Sequence, residues 1–161
     1  MDLEIERKFL VRGDAWRSGE AGVLYRQGFF RVTDRIVVRV RIEGERAFLA
    51  VKVLIDALTR REFTYAIPHG DAVELLNLCP HPPVEKYRYR RPFGGLTWEI
   101  DEFLGENEGL IVAEVELSSP DQEIVKPDWV GREVTDDPRY LNVNLAAEPY
   151  RRWVGESRNG S

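Results

Sequence analysis

Residues 3–11 read Leu-Glu-Ile-Glu-Arg-Lys-Phe-Leu-Val, residues 36–43 read Ile-Val-Val-Arg-Val-Arg-Ile-Glu, and residues 110–117 read Leu-Ile-Val-Ala-Glu-Val-Glu-Leu. Apolar and charged side chains alternate in each, and that period of two belongs to a strand buried on one face. Segments 23–33, 46–53, 61–67, 84–91 and 95–103 are further strand candidates. Gly44-Glu45 and Pro92-Phe93-Gly94 predict turns between antiparallel neighbours, and Gly94-Gly95 reads as a hairpin turn because no Lys-Ser/Thr continuation makes it a phosphate loop. The count is eight strands with short or moderate links, so the expected class is mainly antiparallel β with a few helices. Asp71 three residues before Glu74 predicts a capping box ahead of a helix over 72–76 that Pro80 ends. Ser119-Pro120-Asp121-Gln122 predicts a second helix start, closed by Pro127, and Asp137-Pro138 a third running to about Ala147. One domain over residues 1–150 is expected, with a disordered tail over 151–161.

The 161 residues hold 23 basic and 28 acidic side chains, a formal charge of −5, and 43% are hydrophobic. Such a chain can fill one core and is neither disordered nor a helical membrane protein. The acidic balance lacks the basic footprint of a nucleic-acid binder. Met-Asp-Leu-Glu puts acids where a secretory leader needs a basic flank and an apolar run. A lone cysteine, Cys79, has no internal partner, and the expected compartment is the reducing cytoplasm.

Sorted by strand parity, one face carries Glu4, Glu6 and Lys8; Arg39 and Arg41; Lys52; Glu62; Lys86, Arg88 and Arg90; Glu99 and Asp101; Glu114 and Glu116. The opposite face carries Ile5, Phe9, Val38, Val40, Ile42, Val51, Trp98, Ile100 and Val115. An open sheet with one wet face is the plain alternative. A wet face, however, usually mixes in Thr, Ser and Gln, whereas here charge recurs on nearly every strand. Eight twisted strands also reach the size at which a sheet closes on itself. Closed with the charges inward, the sheet becomes a tunnel of facing acids and bases. An outer-membrane barrel shares the pattern, and the absent leader, the inserted helices and Arg7 on the apolar face argue against it.

Converging guanidinium and ammonium groups suit phosphate oxygens. Carboxylates beside them would repel a polyanion unless a hard divalent cation lay between, and Mg²⁺ and Mn²⁺ bridge carboxylates to phosphates. Mutual ion pairing for stability is a weak rationale, because buried pairs often fail to recover their desolvation.

Glu4-Ile5-Glu6-Arg7-Lys8 resembles the Glu-x-Glu-x-Lys strand of the CYTH family, the triphosphate tunnel metalloenzymes. It is followed in order by Arg39-Val40-Arg41, Lys52, Arg60-Arg61-Glu62, Glu85-Lys86-Tyr87-Arg88, Glu99-Ile100-Asp101, Glu114-Val115-Glu116 and Arg139-Tyr140-Leu141-Asn142. The resemblance spans about residues 2–147 and is strongest to short bacterial members, including inorganic triphosphatases. It implies a closed eight-stranded antiparallel tunnel with flanking helices, the segment after Pro138 closing one end. Lys8, Arg39, Arg41, Lys52, Lys86, Arg88 and Arg90 would then grip phosphate oxygens, Lys8 and Lys86 acting at the reacting phosphate. Glu4, Glu6 and Glu116 would lead the ligands of Mg²⁺ or Mn²⁺, with Glu62, Asp101 and Glu114 nearby.

The implied activity is hydrolysis of a linear triphosphate, foremost inorganic triphosphate, to diphosphate and phosphate. Thiamine or nucleoside triphosphate hydrolysis, CYTH-type adenylate cyclisation and non-catalytic polyphosphate binding are the alternatives. The expected partner is a small-molecule triphosphate, without nucleic acid or membrane, and a homodimer is left open. Phe29 stands where short members often have Tyr, Thr64 where a second acid is common, Val53-Leu54-Ile55 where a Gly-containing loop is frequent, and Leu141 where a polar residue is frequent. His69, His81 and Cys79 read as loop and helix-end residues lacking a closed ligand set. Trp16, Trp129 and Trp153 read as anchors of loops and tail.

Overall fold

The strand that opens the chain is paired along both edges, and this closes the sheet. The computed structural model describes residues 2–56 and 58–159, without the side chains of residue 2 and residues 155–159. Its strands are β1 (Asp2–Val11), β2 (Val23–Arg31), β3 (Ile36–Glu43), β4 (Arg46–Leu54), β5 (Thr59–Ala66), β6 (Val84–Phe93), β7 (Leu96–Phe103), β8 (Ile111–Glu116) and β9 (Val130–Glu133). They lie in the order β5-β4-β3-β2-β6-β7-β8-β1, and β1 returns to β5, so eight antiparallel strands form a closed barrel. One edge of β1 follows β8, with Glu6 opposite Glu116 and Lys8 opposite Glu114. The other edge is divided. Residues 2–5 pair with β5, and residues 9–11 pair with the extra strand β9.

The β9 strand was missing from the sequence reading because it has four residues and contains Gly131. A Cβ at that position would meet the Leu10 carbonyl oxygen at 3.0 Å, so a bare backbone lets the strand approach β1. Arg7, the odd charge on the apolar face, is explained here too: its guanidinium donates to both Glu133 carboxylate oxygens at 2.8 and 2.6 Å, fastening β9 to β1.

With the charges inward, the apolar faces point outward and need covers. One cover is the segment after β1: Trp16 packs with Phe9, Trp98, Ile100 and Val115. Arg91 clasps that segment by donating to the carbonyls of Trp16, Arg17 and Glu20. A second is helix α1 (His69–Leu78), which sets Ala72 and Leu76 on Val40, Ile42 and Ala47. The third is the C-terminal segment, a 3-10 turn at Pro138–Tyr140, α2 (Asn142–Ala147) and α3 (Tyr150–Asn159). It brings Tyr140 and Leu145 against Phe103, Leu110 and Val112. Each aliphatic side chain buried this way contributes roughly 1.5–3 kcal/mol.

Several local expectations are corrected. The α1 helix starts at His69 after Pro68, so Asp71 sits within its first turn and no side chain caps it; the capping box does not form. Ser119–Gln122 makes one turn, closed by Gln122 Oε1 accepting from the Ser118 N–H at 2.6 Å, and no helix follows. A single turn is too short to offset helix nucleation without packing. Asp137 does cap, accepting from the Arg139 N–H, but it opens the 3-10 turn before α2. The β6–β7 hairpin does turn at Gly94-Gly95 as expected, with φ of +61° and +79° at the two left-handed positions of a type I′ turn. Residues 150–159 are helical where a disordered tail was expected, and Trp153 stacks edge-on against Tyr140 and Tyr150. Gly160 and Ser161 lie outside the described residues. Among the described residues, no helix is long and apolar enough to cross a membrane.

Candidate active site

Strand parity sends the charged residues into the barrel, around a cavity of about 570 Å³. Glu4, Glu6, Lys8, Arg39, Arg41, Lys52, Glu62, Lys86, Arg88, Arg90, Glu114 and Glu116 all line it. They divide into two linked groups on opposite walls.

The first group joins β1, β6, β7 and β8. Lys8 Nζ donates to Glu114 at 2.5 Å, and Arg88 lies 3.8 Å from the other Glu114 oxygen. Beneath them Asp101, fully buried, accepts from Lys86 Nζ at 2.7 Å and from Arg88 Nε and Nη2 at 2.7 and 2.8 Å. Asp101 was expected among the metal ligands. It does not line the cavity, and its oxygens are committed to aiming two cations inward. Lys86 also donates to Asn142 of α2 at 2.9 Å, and Gln27 bridges Asn142 (2.6 Å) to Arg41 Nε (2.8 Å).

The second group joins β1, β3, β4 and β5. Arg39 donates to Glu62 at 2.9 Å, Arg60 to Glu6 at 2.6 Å, and Glu4 shares a hydrogen bond with Glu62. Two carboxyl groups that close cannot both ionise cheaply. Burial, then the bond to Glu62, pushes Glu4 up to about 8. Against burial, that same bond with Lys52 and Arg39 holds Glu62 at about 2. Thr64, where a second acid was looked for, donates to Glu62 instead at 3.2 Å.

Crowding like charges loosens protons on the basic side. Burial, with Arg39 adding to it, lowers Lys52 to about 8. Lys86 falls to about 7 because burial, aided by Arg88 and Arg41, outweighs Asp101. Arg41 is lowered to about 10 by burial, Arg39 and Arg88. Arg39 Nε is buried without a hydrogen-bond partner. A donor left in that condition costs about 1–3 kcal/mol, and an anion in the cavity would recover it.

Metal fit rests on the acid positions. Glu6 faces Glu116 directly across the β1–β8 pair, and Glu4 follows two residues along the same face. Like charges opposed across strands are unfavourable by themselves. The proton shared by Glu4 and Glu62 marks a place where a cation would relieve the same repulsion. Three glutamates give the all-oxygen donor set of Mg²⁺ or Mn²⁺. Among the described residues no three such groups are already drawn into a closed cage, because Glu6, Glu62 and Glu114 are bonded to Arg60, Arg39 and Lys8.

Arg60 and Asn142 lie in motifs that carry the family resemblance but had no role assigned to them, and neither had Gln27. Arg60 shares parity with Glu62 but fell one residue short of the assumed strand start. Gln27 carries no charge to flag it, and Asn142 reaches the cavity from a helix, outside any strand rule. Phe29 and Leu141 also line the cavity, apolar as their sequence positions announced.

Residues 2–150 match the CYTH domain model. The chain belongs to the CYTH family. It is 51% identical to an inorganic triphosphatase of Acetivibrio thermocellus over 95% of this chain and 99% of that one. It is 40% identical to an inorganic triphosphatase of Nitrosomonas europaea, over 89% of this chain and 96% of that one. The solved inorganic triphosphatase NE1496 superposes with a TM-score of 0.66 at 36% identity, covering 91% of this chain and 95% of that chain. The CYTH barrel thus closes here as the charge pattern requires, with β9 added to the eight strands.

Proposed function

We propose that this CYTH protein is a divalent-metal-dependent hydrolase that cleaves inorganic triphosphate to diphosphate and phosphate. The observation that carries it is a closed barrel whose interior presents cations from β1, β3, β4 and β6 to one cavity, with glutamates gathered on β1, β5 and β8. The two curated relatives named inorganic triphosphatase support the same reading.

Arg39, Arg41, Lys52 and Arg88 hold the phosphate chain, the guanidinium groups by paired hydrogen bonds and Lys52 as a point charge. Lys8 and Lys86 neutralise negative charge at the reacting phosphate as water attacks its phosphorus and the bond to the bridging oxygen breaks, that oxygen leaving with the diphosphate. Asp101 fixes where Lys86 and Arg88 point, and the ligand's negative charge keeps Lys86 and Lys52 protonated. Glu4, Glu6 and Glu116 would hold Mg²⁺ or Mn²⁺, which supplies positive charge beside the phosphate oxygens and offsets the carboxylates. Charge-dense contacts run the length of the cavity and favour a bare triphosphate over one carrying an organic group. A reducing cytoplasm suits the free Cys79.

Phosphate release from inorganic triphosphate, thiamine triphosphate and ATP in parallel, with Mg²⁺ or Mn²⁺ and a cyclic AMP readout, tests the proposal. Metal-dependent release from inorganic triphosphate above the other two is expected. Binding of triphosphate with no release would leave only an anion binder and overturn the reading.

A further inference from the structure

The lining of the cavity runs to exposed residues toward both ends of the barrel, and the two ends differ in charge. One end is framed by the turns at Gly44-Glu45 and Gly94-Gly95 and by the end of β8. Glu43, Glu99 and Glu116 line it there, together with Arg90. The opposite end lies between the β2–β3 turn, the β4–β5 turn and α2. Exposed Arg31 and Arg35 line the same cavity there, with Asp34, Leu54 and Asn144.

Both guanidinium groups are seated at the rim. Arg31 Nη2 donates to Asn144 Oδ1 at 2.9 Å, and Arg35 Nε donates to the Leu54 carbonyl at 3.0 Å. The Leu54 N–H returns a bond to the Arg35 carbonyl at 2.7 Å, which ties the two turns together. Helix α2 closes over part of this end, beside Arg31.

We infer that phosphate anions cross the barrel wall through this basic rim, between Arg31 and Arg35. A polyanion approaching the other mouth meets three carboxylates, with Arg90 beside Glu99 and Arg41 beside Glu43. At this rim it meets two guanidinium groups and one carboxylate. Opposite fields at two mouths separate the traffic of a cation from that of an anion, since clefts of one sign focus ions of the other. Each rim guanidinium keeps further N–H donors that can hold phosphate oxygens in passing. Exposure keeps that hold weak, as a passage requires.

The inference deepens the triphosphatase reading and rests on it. The anion is either triphosphate on its way in or phosphate on its way out. Arg31→Glu/Arg35→Glu reverses the rim charge, and Asn144→Trp narrows it. Stopped-flow tryptophan fluorescence measures association of inorganic triphosphate whether or not the chain hydrolyses it.

If triphosphate enters here, association in the charge-reversed protein slows by about 10-fold or more at low salt, and the gap closes as salt rises. If phosphate leaves here, single-turnover cleavage is unchanged while steady-state turnover and inhibition by added orthophosphate both change. Either result supports the doorway. Should both variants keep the unmodified association rate, salt dependence, steady-state turnover and phosphate inhibition, the doorway is refuted. Melting temperatures check the fold, and Arg31→Gln/Arg35→Gln replaces the reversal if that protein does not fold. An unmodified chain that binds triphosphate without cleaving it would sink the hydrolase reading while the association measurement still decides the doorway.

Discussion

Replacing Asp101 by Asn removes one negative charge from beneath two positive ones. The carboxylate is fully buried and accepts three hydrogen bonds, one from Lys86 and two from Arg88. An amide in its place turns an NH₂ group toward donors and leaves the cations uncompensated. Removing one partner of a buried pair costs about 3–5 kcal/mol. Lys86 can escape part of this, because burial already lowers it to about 7 with the acid present and losing Asp101 lowers it further. Arg88 cannot deprotonate and bears the rest, so the lower half of the range is expected. For a domain of this size, about 3–4 kcal/mol lowers the melting temperature by roughly 6–16 °C. Inorganic triphosphate supplies replacement oxygens, so its stabilising shift should be larger in Asp101→Asn than in the unmodified protein. Thermal melts with and without ligand at pH 7.5 provide the comparison. A variant melting within a degree or two of the parent, with the same ligand shift, would refute the assignment of Asp101 as the group that aims both cations.

Lys8→Ala and Lys86→Ala should each lower turnover by about 100-fold or more, as losing a charge-stabilising donor does; unchanged initial rates for both would remove their proposed role. Glu116→Ala should move the Mg²⁺ titration of activity to higher concentrations, and an unmoved midpoint would strike it from the ligand set. Glu133→Gln tests the clasp between β1 and β9. Hydrogen bonds from Arg7 hold the Glu133 carboxyl below its ordinary 4.5, so the pair's contribution is present above that pH and is lost as pH falls through the lowered value. Side-chain exposures of 24% and 35% keep it below about 1 kcal/mol. Denaturant midpoints of parent and variant should differ at pH 7 and converge in acid; a gap that widens on acidification contradicts the pairing.

What the sequence made legible was side-chain direction. Alternation placed Glu4, Glu6 and Lys8 on one face and Ile5 and Phe9 on the other, and closure followed from finding that division on so many strands. Direction does not give depth, however. Asp101 has the same parity as Glu99, yet one is sealed behind Lys86 and Arg88 while the other lines the cavity. Depth depends on neighbouring strands and on register, which alternation along a single strand does not encode. The part played by uncharged Gln27 and Asn142 was illegible for a related reason: a polar network reads as a network only once α2 is docked against β2 and β6. Local end signals fared worst, since Asp71 and Ser119 each offered a cap and tertiary context used neither as a helix start.

The divided edge of β1 also bears on how the molecule comes to exist. Lys8 finds its partner Glu114 across 106 positions, and Arg7 finds Glu133 across 126. Contacts so distant in the chain are reached late, because the entropy of closing the intervening loop is lost before they reward it. The hairpins β3–β4 and β6–β7 can form early by themselves; the cylinder cannot be sealed until β8 and β9 are ready to receive the opening strand. Glu4, Glu6 and Lys8 all hang on that seam. A chain in which β1 is not yet seated therefore lacks Glu4, Glu6 and Lys8 at its pocket, and the complete set of binding groups arrives in the same step that finishes the wall.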